Sequence, residues 1–242
     1  MKTIPATLLL LFLVSTCSGQ NFKYEFPQAP GELRYNLRDT QAHRVKKDQL
    51  ERAERLGDFI PFYPDSWIAD YRSVQITVTV NGQTLTAKSR NDVLTEEQKN
   101  LLRKIGYGSD IVVDALCSHK NPVTGKPEEV NMHNYVTLAP ETEAEFTGDQ
   151  QQMEAYFKRN CSDQVVDRVW LIALERMSAR FMVNENGVVS DARIQQSSGS
   201  REIDDLFLNA IRNMKGWKPA RDARGVKVKE EFVVSADSGK GC

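Results

Sequence analysis

Residues 178–234 have the sequence SARFMVNENGVVSDARIQQSSGSREIDDLFLNAIRNMKGWKPARDARGVKVKEEFVV, and the period of its apolar residues changes twice. A first set alternates with polar neighbours, which predicts a half-buried strand; it consists of Met177, Ala179, Phe181 and Val183. The turn-forming residues 184–187, Asn-Glu-Asn-Gly, come next. A second strand is expected after them, with Val188, Ala192 and Ile194 on its inner face. The start of the stretch therefore predicts a β-hairpin.

A helix is expected after the hairpin. Six apolar residues recur at helical spacing and predict one buried stripe; they are Ile203, Leu206, Phe207, Ala210, Ile211 and Met214. Ser200 is the expected N-cap. Glu202, Asp204 and Asp205 place negative charge at the positive end of the helix dipole, which favours a helix beginning here.

The stretch ends with a predicted strand over residues 226–235. Pro219 and Gly225 interrupt the chain after the helix. The alternation then resumes at Val226, Val228, Phe232 and Val234. The expected order of hairpin, helix and strand defines a small α+β unit.

These motifs, in this order, resemble the C-terminal domain of TonB-type energy transducers. The resemblance rests on FMVNENGVVSDARIQQSSG, Asp204, Ala210, residues 217–220 (Trp-Lys-Pro-Ala) and Gly225. It implies an antiparallel sheet of about three strands packed with helices over residues 153–235. The chain departs from the family at residues 162–174, where a predicted helix replaces the family's Tyr-Pro and Gly-rich segment. The family's membrane helix and Pro-rich spacer are not found, so a full-length TonB is not expected.

The composition is that of an ordinary globular protein. Of the 242 residues, 40% are hydrophobic and 27% charged, and the net charge is −1. Because there is no basic excess, a nucleic-acid partner is not expected. The length suggests one to two domains.

The N-terminus predicts a bacterial-type export signal. A lysine at position 2 precedes an eleven-residue apolar run, residues 4–14, which is too short for a membrane span. Two routes stay open for residues 1–19. Cleavage after Gly19 or Gln20 would leave an unanchored chain, whereas lipidation of Cys17 would attach the protein to a membrane.

Residues 20–73 are expected to form an N-terminal arm. Within it, residues 40–56 predict a short charged helix that Gly57 ends. An aromatic loop follows over residues 59–71, and its expected role is to pack over the neighbouring sheet; a recognition surface is the alternative.

Residues 74–138 predict a second α+β unit. Val74–Val80 alternates and ends at Asn81-Gly82, a strong hairpin signal. A capping box begins a helix at Thr95, and strands are expected at residues 111–117 and 130–138. Residues 94–116 are similar to a repeated element of the periplasmic part of GldM, a motor protein of gliding and type IX secretion in Bacteroidetes. That likeness implies a periplasmic binding role.

Residues 139–152 are acidic and aperiodic, and are expected to be the linker between the two units. A helix is predicted to begin near Met153, and residues 236–242 are expected to be a tail.

The residues carry no recognisable catalytic motif. The three histidines, His43, His119 and His133, lack metal-ligand spacing, and no nucleophile, phosphate-binding or C-x-x-C motif is present. A non-enzymatic protein without cofactor or metal is therefore expected.

The cysteines leave one question open. Cys117 and Cys161 would pair in an oxidising periplasm, stabilising the fold by about 3–4 kcal/mol if unstrained. A buried free thiol at Cys117 is the alternative. Cys242 is left without a partner.

Binding is the remaining function. The TonB resemblance implies that the last strand lies at the sheet edge, where an extended peptide adds to it. The candidate contact residues are Val226, Lys227, Val228, Lys229, Glu231 and Val233. The alternative is an edge covered by the N-terminal arm or by a second copy in a homodimer.

These patterns predict a periplasmic or outer-membrane-associated adaptor of a Bacteroidetes-like envelope, without enzymatic activity. Its expected partner is an outer-membrane receptor or a secretion-complex subunit. Two alternatives remain, a structural subunit of a secretion or gliding-type complex and a hydrolase acting on the cell wall.

Overall fold

The computed structural model describes residues 33–37, 42–61, 68–80, 82–165 and 172–237. The strands are β1 (Arg34–Leu37), β2 (His43–Lys46), β3 (Ile68–Val80), β4 (Gln83–Ser89), β5 (Asp110–Lys120), β6 (Pro127–Ala139), β7 (Glu145–Phe146), β8 (Ser178–Val183), β9 (Val189–Gln196), β10 (Trp217–Lys218), β11 (Ala220–Arg221), β12 (Lys227–Val228) and β13 (Glu230–Asp237). The helices are α1 (Lys47–Arg52), α2 (Glu96–Leu102), α3 (Gln150–Asn160) and α4 (Arg201–Arg212). The fold is mixed α+β with several small sheets, which confirms the expected class.

A five-stranded sheet forms the first unit. Its strand order is β2-β6-β5-β3-β4, antiparallel except where β2 runs parallel to β6. The hairpin predicted at Asn81-Gly82 is confirmed, since Val80 lies opposite Gln83. The capping box is confirmed as well: Thr95 accepts from the N–H of Gln98, and the Gln98 side chain accepts from the N–H of Thr95.

The helix predicted over residues 40–56 is wrong in its first half. Residues 43–46 form β2, and only Lys47–Arg52 is helical. Val45 is 1% exposed in the core of the sheet. Pairing with β6 buries it and satisfies the backbone, which outweighs the local preference of a charged segment for helix.

A four-stranded sheet of order β1-β13-β8-β9 forms the second unit. Its core confirms the alternation of β8 and the stripe of α4, because the predicted inner residues of β8 and most of those of α4 are buried. Aromatic rings fill the space between sheet and helices; they belong to Tyr35, Phe157, Phe181, Phe207, Trp217 and Phe232. Close ring contacts such as Phe181 on Phe232, at 5.5 Å between centroids, stabilise this core.

The inner face of β9 differs from the prediction at its first residue. Val188 is 56% exposed, whereas its neighbour Val189 is buried. The pairing with β8 shifts register between Arg180 and Met182, and Asp191 adopts a φ of 51°. This bulge changes the phase of the strand, so that Ala192 and Ile194 still pack on the core.

The segment expected to be a linker is folded onto the second unit. β7 pairs with β10, and Thr142 forms a bridge with Arg221. α3 begins at Gln150, three residues before the expected start, because Asp149 caps it. These contacts could not be predicted from the aperiodic sequence of residues 139–152, because the paired segments are short and lie far apart along the chain.

Several predictions fall partly or wholly outside the described residues. They concern the export signal with Cys17, residues 62–67 in the middle of the aromatic loop, the centre of the helix expected over residues 162–174, and Cys242 in the tail. β13 continues to Asp237, into the expected tail. Within the described residues, no helix combines the length and apolar character that crossing a bilayer requires.

Candidate functional site at the junction of the two units

The predicted last strand is divided into two strands with different surroundings, β12 of two residues and β13 of eight. Lys227 and Val228 form β12, which pairs with β11 in a small hairpin, and Val226 beside them is 52% exposed. Glu231 and Val233 lie in β13, inside the four-stranded sheet. The six candidate residues therefore do not form one continuous edge.

The outer edge of β13 is occupied by the chain itself. β1 pairs antiparallel with residues 234–237, placing Asn36 opposite Ser235. Tyr35 holds β1 in place: its ring stacks on Phe157 at 4.6 Å, and its hydroxyl lies 2.7 Å from that of Ser162. The open edge implied by the resemblance is thus covered by the N-terminal arm, as the stated alternative had it.

The first unit covers the other end of the same edge. The backbone N–H of Glu231 donates to the carbonyl of Tyr107 at 2.9 Å. Gly108 packs so closely that a Cβ at this position would lie 2.0 Å from the carbonyl oxygen of Glu231. This approach requires glycine, and it fixes the loop after α2 against β13.

Charged side chains join the two sheets at this point. Arg180 of β8 donates to Asp110 of β5 at 2.8 Å and to Glu231 of β13 at 3.1 Å. Arg193 donates to the other oxygen of Glu231 at 2.6 Å, and Thr137 donates to Asp110 at 2.9 Å. Paired charges of this kind fix the relative orientation of two surfaces. Removing one partner is costly because it leaves the other charge buried without a counter-charge.

The environment of Arg180 favours its charged form. Its side chain is only 13% exposed, and burial by itself would lower its pKa. The hydrogen bonds and negative charges of Asp110 and Glu231 outweigh burial and raise the pKa of Arg180 above its usual value. Arg180 therefore keeps its positive charge throughout the physiological pH range.

A second acidic residue of β13 fastens the segment between the units. Glu230 is fully buried and accepts a hydrogen bond from the N–H of Ala144 at 2.7 Å. Arg44 of β2 lies 3.7 Å from Glu230 and 2.5 Å from Glu143. Residues 143–144 are thereby held between β2 and β13.

Two hollows lie on either side of the Arg180 network. The larger, about 620 Å³, lies between the loop after α2 and the outer faces of β8 and β9, and Lys104, Tyr107, Arg193, Lys229 and Glu231 are among its lining residues. The smaller, about 260 Å³, is lined in part by Thr77, Tyr135 and Arg180. Two of the predicted contact residues, Lys229 and Glu231, therefore line a groove of the size that binding sites have.

The cysteines of the described region are free and buried in different units. Cys117 lies in β5, and Cys161 belongs to the core of the second unit. The disulfide considered from the sequence is not formed, and both thiols are free. Burial raises the pKa of Cys161 to about 12 and also raises that of Cys117, so both are unreactive as thiolates.

One polar cluster was not expected from the sequence. His133 of β6 contacts Asp114, which lies opposite it on β5, and its other ring nitrogen lies 2.6 Å from the hydroxyl of Tyr135. Only the register of β5 and β6 brings residues 19 positions apart together. In the part of the chain that the structure describes, no three His, Cys, Asp or Glu side chains are grouped to hold a metal ion.

Comparisons with protein-family models, with curated proteins and with solved structures find no match to this chain.

Proposed function

We propose that this protein is an exported, non-enzymatic adaptor of a bacterial envelope that binds a partner protein through its TonB-like C-terminal unit. In this proposal the partner contributes an extended segment to the edge of β13. The observation that carries the proposal is the β1–β13 pairing, because this edge already accepts an extended segment from about 200 positions away in the sequence. Strand addition gives affinity through main-chain hydrogen bonds and specificity through side-chain pockets.

The contacts of β1 suggest what the partner segment contains. Tyr35 is the one residue of β1 that is fully buried, and it lies against Phe157 and Phe207. A competing strand would place a large aromatic residue at the same position, since an empty site would leave these rings unpacked. β1 then serves as a resident strand that the partner displaces.

The groove beside β13 would provide further contacts. Lys104 and Lys229 line it, whereas Arg193 in the same lining is paired with Glu231. Acidic side chains flanking the partner's strand would be favoured there by charge complementarity. Localisation to the periplasm or outer membrane, with or without a lipid on Cys17, belongs to the same proposal and rests on the N-terminal sequence.

A second candidate is a structural subunit of a secretion or gliding-type envelope complex. It is favoured by a different feature, the seven-residue strand β4, which has no neighbour on its outer side among the described strands. Subunits that assemble through strand edges need such a surface.

Site-specific photocrosslinking in envelope fractions of the source cell tests the adaptor proposal. A photoreactive residue replaces Lys229, at the groove, or Val123, which is 91% exposed in the loop between β5 and β6 and serves as the control. The proposal expects a discrete adduct with one envelope protein from position 229 only, and mass spectrometry also identifies the mature N-terminus. Equal adducts from both positions, or none from position 229, would contradict it.

A further inference from the structure

β4 is an edge strand with seven regular residues. It lies at the end of the five-stranded sheet and pairs only with β3 among the described strands. Leu85 and Ala87 point toward the core, whereas Thr84, Thr86 and Lys88 are exposed on the other face. The strand contains no proline, and its single charge is Lys88. These features are those of an edge that can accept another strand.

The hairpin determines which backbone groups of β4 face outward. A two-residue loop makes Val80 and Gln83 a hydrogen-bonded pair, and such pairs alternate along an antiparallel ladder. Gln83, Leu85 and Ala87 therefore bond to β3, while Thr84, Thr86 and Lys88 direct their N–H and C=O groups away from the sheet. Among the described residues, none forms a backbone hydrogen bond with these outward groups.

The sequence of β4 is complementary to itself in one antiparallel register. When Thr86 lies opposite its own copy, Leu85 lies opposite Ala87 and Thr84 opposite Lys88. Apolar residues then meet on the core face, threonines meet at the centre, and no like charges are opposed. The two Lys88 side chains are four residues apart along the strands, about 14 Å, which exceeds the Debye length at physiological salt.

We propose that β4 is a self-association surface, at which a second copy of this chain pairs antiparallel about a two-fold axis at Thr86. In this register, the outward N–H and C=O groups of Thr84, Thr86 and Lys88 form the hydrogen bonds between the two copies. The two five-stranded sheets then become one continuous sheet, and each copy retains its own C-terminal unit for a partner.

The other described edges fit this role less well. β1 and β2 have four residues each. β9 is longer, but Asp191 bulges it, and the side chain of Arg212 donates to the carbonyl of Ala192 at 3.5 Å. A bulge interrupts the regular spacing that strand pairing requires.

Cysteine crosslinking tests the register. In a Cys242→Ser background, Thr86→Cys places two thiols directly opposite at a Cα separation of about 5.5 Å, within the range for a disulfide. Thr84→Cys is the matched control, because its two copies lie about 14 Å apart in this register. We expect mild oxidation to give a covalent dimer with Thr86→Cys and with a mixture of Thr84→Cys and Lys88→Cys, but not with Thr84→Cys alone. Equal dimer yields from Thr86→Cys and Thr84→Cys would overturn the proposed register.

Charge variants test the association itself by sedimentation velocity. Thr86→Lys places two like charges opposite each other across the axis, and Thr86→Glu does the same. Each variant is expected to raise the dissociation constant of the dimer at least about tenfold. A mixture of the two variants restores the dimer, because opposite charges then face each other. Thr124→Lys, in the exposed loop between β5 and β6, adds the same charge away from the edge and leaves association unchanged. A protein that is monomeric at all concentrations, or variants that dimerise like the unmodified protein, would overturn the proposal.

Discussion

The guanidinium of Arg180 lies between the carboxylates of Asp110 and Glu231, and its 2.8 Å hydrogen bond to Asp110 joins the two sheets. Asp110 and Arg180 are 70 positions apart and belong to different units. The contact lies next to the carbonyl of Tyr107 that receives the N–H of Glu231. The charged network around Arg180 and the contact between Tyr107 and Glu231 therefore belong to the same interface between the two sheets.

Removing the guanidinium of Arg180 is expected to destabilise the protein. Arg180→Ala leaves the carboxylates of Asp110 and Glu231 partly buried with one cation fewer, at a cost of about 2–3 kcal/mol in the free energy of unfolding. Arg201→Ala is the control, because Arg201 is 96% exposed and its pair with Asp205 contributes less than about 1 kcal/mol. Urea denaturation measures both; equal losses would contradict the role given to Arg180.

The close approach of Gly108 makes a second prediction. Gly108→Ala introduces a Cβ 2.0 Å from the carbonyl of Glu231 at a residue whose φ is +84°, so we expect a loss of about 2–3 kcal/mol. Gly106→Ala is the matched control: its Cβ meets no atom within 4 Å, and the change stays below about 1 kcal/mol. Thermal unfolding of the two variants compares them. A Gly108→Ala protein as stable as Gly106→Ala would mean that the loop does not pack on β13.

The stability of the fold is expected to depend on pH through the ionisation of Asp204. Burial alone would raise the pKa of Asp204, but hydrogen bonds from the side chains of Ser197 and Ser198 and from the N–H of Ser198 hold it below its usual value. Because the folded pKa is depressed, this stabilisation is complete above the unfolded pKa of about 3.9 and is lost as the pH falls through the folded pKa.

Asp204→Asn should therefore reduce the stability by about 1 kcal/mol at neutral pH, and the difference from the unmodified protein should vanish in strong acid. Denaturation curves between pH 7 and pH 2 measure the difference. Asp205→Asn, one residue along α4 on the exposed side, is the control. A deficit of Asp204→Asn that stays constant down to strong acid would refute the depressed pKa.

The two buried thiols are expected to react slowly with alkylating reagents. Because burial raises the pKa of Cys161 to about 12 and also raises that of Cys117, neither should react with iodoacetamide in the folded protein at pH 8. Both should react once the protein is unfolded in urea without reductant. Mass spectrometry distinguishes this from a disulfide, which would leave both cysteines unmodified under the same conditions.

The attachment of β1 depends on the side chain of Tyr35. Tyr35→Ala removes the ring that stacks on Phe157 and is expected to cost about 3–5 kcal/mol, whereas Tyr35→Phe loses only the contact with Ser162, about 1 kcal/mol. Amide hydrogen exchange of residues 234–237 should accelerate in Tyr35→Ala and remain slow in Tyr35→Phe. Equal exchange in both variants would show that Tyr35 does not hold β1.

The elements predicted correctly from the sequence are those whose signals are local. The alternation of β8, the stripe of α4 and the capping box at Thr95 each lie within a few residues, and each is present. The exposure of Val188 was predicted incorrectly because the bulge at Asp191 depends on pairing with β8.

The candidate site could be predicted only in part. Lys229 and Glu231 were singled out, but their surroundings consist of residues that approach from other parts of the chain, such as Arg180, Tyr107 and Asp110. β1 was missed as a strand because four residues carry too short a pattern, and because its partner lies about 200 positions away. Such pairings depend on tertiary packing, and the local spacing of apolar residues in the sequence does not reveal it.

The most direct measurement uses a disulfide to fasten β1 to β13. Asn36→Cys and Ser235→Cys place two thiols at opposite residues of these strands, and the photoreactive residue at position 229 reports partner capture. The control disulfide joins Leu116→Cys to Asn131→Cys, which lie opposite each other on β5 and β6. If the partner displaces β1, oxidation abolishes the adduct, reduction restores it, and the control disulfide has no effect. An adduct of unchanged yield in the oxidised Asn36–Ser235 variant would contradict strand exchange at β13.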